Sequence, residues 1–133
     1  MDAKLLKQSF DLVAPQKEAL AEAFYNRLFT LYPQTKTLFA NTDMKRQQSS
    51  LMATLTVVVT GVVNGENVIP TIEQLGHRHN GYGVKPEYYP MVGQALLETL
   101  KEFLGKDWTP EIEATWTATY QVITQAMQHE AVQ

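Results

Sequence analysis

Apolar side chains recur three and four residues apart along nearly the whole chain, and prolines and glycines cut that recurrence into short segments. Leu6, Phe10 and Val13 form the first stripe, which Pro15 interrupts. Leu20, Phe24, Leu28 and Leu31 form the second, flanked by Ala21 and Tyr25 and ended by Pro33. A short segment to Phe39 and a polar loop, Asn41 to Arg46, lead to Gln47, Leu51, Leu55, Val58 and Val62, which share one helical face. The β-branched run Thr54 to Val63 reads as a strand by propensity alone. The five-position stripe starts before that run and continues through it, so the spacing predicts a helix there, stopped at Asn64 and Gly65. Val68, Ile72, Leu75 and His79 make the next stripe, ending at Gly81, Tyr82 and Gly83. Pro86 restarts a helix with Tyr89, Val92, Leu96, Leu100 and Phe103 on its buried line, closed by Gly105. Thr109, Pro110 and Glu111 form an N-terminal helix signature before Ile112, Trp116, Tyr120, Ile123 and Met127. About six helices, short connections and no secure strand predict an all-α fold in a single domain spanning residues 1–133.

Composition narrows the function classes. A 44% hydrophobic, 19% charged chain has enough apolar surface for a core, and no apolar run approaches the roughly 20 residues of a membrane span. A net charge of -3 supplies no basic footprint for nucleic acid. The absence of cysteine removes disulfides, thiolate metal sites, thiol nucleophiles and thioether cofactor attachment together. Met1 to Lys7 lack a secretory-signal pattern, so the cytoplasm is the expected location.

Among chemistry-bearing residues His79 stands out. At about 100° per residue it falls within about 40° of Leu75, Ile72 and Val68, which points its ring into the core. His77 lies about 140° from Ile72, so the two histidines cannot chelate one ion from a helix. A lone histidine on an apolar face is most often a satisfied core residue. The functional reading is an axial ligand of haem, where the porphyrin supplies four other ligands. Tyr25 and Gln47 each carry a polar end beside an apolar stripe. Either they bond each other or a backbone carbonyl, or they face a partly anionic ligand in a dry pocket. Gly81 and Gly83 fail the dinucleotide fingerprint, and no serine elbow or carboxylate pair offers hydrolase chemistry.

The order of these features resembles the globin family, and in particular bacterial single-domain globins related to the haem domain of flavohaemoglobins. The resemblance rests on Phe24 to Phe29, Leu38 and Phe39, Gln47 with Leu51, Arg78 to Val84, Lys85 to Tyr89, Val92 with Gly93, and Trp116 with Tyr120. The distal pair and the short corner before it are most similar to Hell's Gate-type globins. The resemblance implies six to seven helices around a haem b pocket, with His79 as proximal iron ligand and Phe39 on the porphyrin face. Leu51 and Val84 would line the pocket, and Tyr25 and Gln47 would face the bound gas. It also implies reversible O2 binding, with NO and CO as further gas ligands and NO dioxygenation as a family activity. In flavohaemoglobins a tyrosine matching Tyr89 and a late glutamate support the proximal histidine. Here Ala131 falls at the glutamate position and Glu130 one residue away, a departure that weakens the expected electron donation from that side. The chain ends at Gln133, so an external reductase is the expected partner. Two other classes stay open at this point: a gas or redox sensor with six-coordinate haem, and a haem-free interaction protein of globin shape.

Overall fold

The computed structural model describes residues 2–72, 74 and 87–132, with side chains described through residue 125. All regular structure among the described residues is helical. Helix α1, Ala3–Val13, is capped by the Asp2 carboxylate, which accepts from the backbone N–H of Lys4 at 3.0 Å and of Leu5 at 3.2 Å. Pro15 turns the chain through a 3-10 segment, Ala14–Gln16, into α2, Lys17–Leu31. Pro33 forces Tyr32 out of helical geometry, to φ -135 and ψ 75, and a seven-residue 3-10 run follows from Pro33 to Phe39.

Helix α3 runs Met44–Val63. The strand-like run Thr54 to Val63 is therefore helical: burial of Leu55, Val58 and Val59 outweighs a propensity difference of a few tenths of a kcal/mol per residue. The polar loop expected up to Arg46 is shorter than its composition suggests. Asp43 accepts from the N–H of Lys45 and Arg46 and starts the helix at Met44. Asn64 and Gly65 end it, and Gly65 adopts φ 71, the left-handed conformation of a helix stop. Residues 69–72 are again helical, with Ile72 fully buried. Helix α4, Tyr88–Leu104, closes at Gly105, and α5, Pro110–Val132, opens with Thr109 Oγ1 accepting from Ile112 N–H at 3.2 Å.

Helix α2 packs between α3 and α4, while α1 lies across α3 and α5. The main core gathers Leu6, Phe10, Leu20, Phe24, Tyr25, Leu28, Leu55, Leu96, Leu100 and Trp116. Leu31, expected to continue the α2 stripe, is instead 40% exposed, because the chain is already leaving the helix toward Pro33. Trp116 Nε1 donates to Ser9 Oγ at 2.8 Å, and Ser9 Oγ in turn donates to the Leu5 carbonyl, so both buried polar groups are satisfied. A smaller cluster of Val58, Ile72, Tyr89 and Ile123 joins α3, the 69–72 turn, α4 and α5.

Gly93 fixes how closely α4 and α5 approach. A Cβ at that position would lie 2.5 Å from Tyr120 Cε2 and 2.9 Å from Cδ2, so the ring passes over the helix only because the side chain is missing. The Tyr120 hydroxyl then donates to the Tyr89 carbonyl at 2.7 Å. Gly93→Ala is expected to destabilise the protein by about 1 to 3 kcal/mol through displacement of the packed Tyr120 ring. Chemical denaturation checks this; an unchanged midpoint would contradict the close packing.

Candidate functional site

The residues around Tyr25 build a polar point inside an aromatic wall. Tyr25 sits in the middle of α2 with 4% of its surface exposed. Phe24 lies edge-on to its ring at 4.7 Å between centroids, Phe39 edge-on at 5.5 Å, and Phe29 at 6.1 Å. Phe29 and Phe39 also meet, at 5.7 Å. The 3-10 run after Pro33 delivers Phe39 to this cluster, so the proline that ends α2 also builds one wall of the site.

Gln47, in the first turn of α3, donates from Nε2 to the Tyr25 hydroxyl oxygen at 3.0 Å. This is the mutual bond that the sequence left open against a ligand-facing role. It does not exhaust the tyrosine. A phenol that accepts through a lone pair still holds its own proton for donation. Burial pushes the Tyr25 phenol up to about 12, with the Gln47 hydrogen bond pulling weakly the other way, so at neutral pH the O–H is intact. The pair is thus an oriented O–H donor set among apolar rings, where a hydrogen bond to a partly negative atom gains strength from the low local dielectric. Leu51, one turn beyond Gln47, is half-buried and packs against the main core.

Tyr89 lies elsewhere, in the smaller cluster, with its carbonyl held by Tyr120. Burial raises the Tyr89 phenol above its ordinary value. Tyr120 is raised too, by burial first and then by the neighbouring Tyr89. The structure therefore brings Tyr25, Phe39 and Gln47 together directly, with Leu51 on the same helix as Gln47. His79 and Val84 lie outside the described residues, as does His77, and the side chains of Glu130 and Ala131 are likewise not described. Among the described residues no group of three His, Asp or Glu could hold a bare metal ion. The Tyr120 hydrogen bond and the Gly93 contact were not foreseen from sequence. Only the small residue opposite an aromatic in a neighbouring helix could have signalled them, and that needs the helix pairing first.

The rings around Tyr25 are apolar and its hydroxyl keeps a proton to donate, a chemistry that suits a flat, largely apolar group carrying one polar ligand atom. Comparison with known proteins gives the same direction. The globin family model matches residues 22–127. The flavohemoprotein of Bacillus subtilis (strain 168) is 32% identical over 125 residues, covering 92% of this chain and 31% of that protein. The flavohemoprotein of Vibrio cholerae is 31% identical over 123 residues, 91% of this chain and 31% of its own length. The chain thus spans about a third of these relatives. An engineered carbene transferase from Rhodothermus marinus superposes with a TM-score of 0.86 at 24% identity, over 98% of this chain and 90% of that one. A bacterial globin from Campylobacter jejuni gives a TM-score of 0.82 at 24% identity, over 97% and 93%. The helical architecture and the family match agree, and the chain belongs to the globin family.

Proposed function

We propose that this globin holds haem b and binds O2 reversibly, with Tyr25 and Gln47 on the gas side and His79 as the iron ligand. The observation that carries the reading is the Gln47 to Tyr25 hydrogen bond inside the aromatic wall of Phe24, Phe29 and Phe39. Haem, when bound, supplies the ferrous iron that takes O2 or another diatomic gas and, with NO as second reactant, can convert the pair to nitrate. The protein's part is electrostatic and steric. Gln47 fixes the rotation of the Tyr25 hydroxyl, and that hydroxyl offers its proton to the partly negative outer atom of the gas. Phe39 and Leu51 exclude water beside it, and the resemblance to the family assigns Val84 to the same role. On this reading Tyr89 supports His79, as the matching tyrosine does in flavohaemoglobins, and its own backbone carbonyl accepts from the Tyr120 hydroxyl.

NO dioxygenation is the enzymatic extension of this reading. The flavohemoprotein relatives support it, and it calls for a reductase to return the iron to the ferrous state. No described helix is long and apolar enough to cross a membrane.

Three outcomes follow. His79→Ala should abolish the iron–imidazole signature in the absorbance and resonance Raman spectra while His77→Ala retains it; equal spectra would refute the ligand assignment. Tyr25→Phe removes a bond of about 1.5 to 3 kcal/mol, so O2 release should accelerate roughly 10- to 150-fold, with CO release changed far less. Stopped-flow release of both gases checks this, and an O2 rate within about threefold of the parent contradicts the donor role. Because the donor is the neutral phenol, O2 release should be flat from about pH 6 to about pH 10 and should accelerate as the pH rises toward the Tyr25 value of about 12.

A further inference from the structure

The outer face of α3 is unlike an ordinary solvent-facing helix surface. From Gln47 to Gly65 the chain carries no ionisable side chain, although Ser49, Ser50, Ala53, Thr56, Val57 and Thr60 are all exposed. Val57 is 50% exposed, and exposed helix positions normally favour straight-chain or charged residues over β-branched ones. An open groove of about 480 Å³ runs along the first half of this face, over Ser49, Ser50 and Ala53, with Lys45 and Arg46 at its head.

The ends of the face carry an independent signal. Lys45 and Arg46 stand in the first turn of α3, where the helix dipole disfavours cations, and that turn holds no acidic residue. The Asp43 carboxylate is already taken up by their backbone N–H groups. Glu66 stands just beyond the other end, where the dipole disfavours anions. Its Oε2 lies 3.7 Å from the position a Gly61 Cβ would take, so the carboxylate folds back along the last turn. Neither Arg46 nor Glu66 belongs to an ion pair among the described residues. Each end therefore has the charge its own helix disfavours and an antiparallel copy of the same helix favours.

We propose that α3 is the interface of a symmetric homodimer, packed antiparallel against α3 of a second copy, with Lys45 and Arg46 of each copy facing Glu66 of the other. That register places a two-fold axis beside Thr56, with Ala53 of one copy near Thr60 of the other. Ser49, Ser50 and Ala53 are small enough to let the helix axes approach to the usual 8 to 10 Å, about. The contact is isologous, so each charge pair occurs twice and needs no other protein. One helix face of about 30 Å is small for a permanent assembly, and the dimer is correspondingly weak, with Kd on the order of 10 to 100 µM.

Sedimentation equilibrium of the purified full chain tests this. The expected result is a monomer–dimer equilibrium that weakens with added salt. Arg46→Glu and Glu66→Arg, each alone, should weaken it about tenfold or more, and the two together should restore it to within about threefold of the parent. Ala53→Glu, at the middle of the face, should weaken it as strongly, and Lys45→Glu provides a second variant at the basic end. All four sites are exposed, and circular dichroism verifies that each variant keeps its helices. A chain that stays monomeric up to about 1 mM overturns the proposal. So does a dimer indifferent to the reversals, or a combined variant no tighter than the single ones.

Discussion

A buried phenol on a central helix sets the terms for the rest of the molecule. Helix α2 lies between α3 and α4, so Tyr25 has nowhere to place its hydroxyl except among packed side chains. A polar group there costs free energy unless it is satisfied, and Gln47 satisfies one side of it. That requirement fixes where α3 must begin: the Asp43 cap and the Gln47 side chain act within the same turn, and a slip of one residue would rotate Gln47 away by about 100°. Pro33 and the 3-10 run behind it close the same space with Phe39. Three local devices thus converge on one hydroxyl.

Helix α3 consequently serves two surfaces. Its inner side carries Gln47 against the Tyr25 hydroxyl, Leu51 against the main core, and Leu55, Val58 and Val59 in the two clusters. Its outer side is uncharged along its length and bounded by opposite charges at its ends. Dimer formation through that outer face would hold the helix that orients Gln47, and so the Gln47–Tyr25 pair would be coupled to protein concentration through rigidity rather than through a new contact.

Much of this was legible in the sequence because burial writes itself as spacing. Leu6, Phe10 and Val13, then Leu20, Phe24 and Leu28, are where the stripes put them, and Thr54 to Val63 is a helix despite its β-branched residues. The pairing of Tyr25 with Gln47 was open as one of two alternatives, and it turned out to be compatible with both, since an accepted bond leaves the proton free. Less legible were features that depend on which helices touch. Met52 and Val59 are buried on a second line of α3, because that helix meets both α1 and α2 and needs a wider apolar face than one stripe. The exposure of Leu31 reflects a helix end, where periodicity no longer reports burial. The Trp116 to Ser9 bond joins residues more than a hundred positions apart, and nothing local marks either as the other's partner.

The central claim is that this globin holds haem beside the aromatic cluster of Tyr25, and titration of the purified chain with haemin tests it most directly. A sharp Soret band that grows with added haemin and saturates at a single equivalent per chain is the predicted result. A spectrum that remains that of free haemin, with no saturation point, would contradict it.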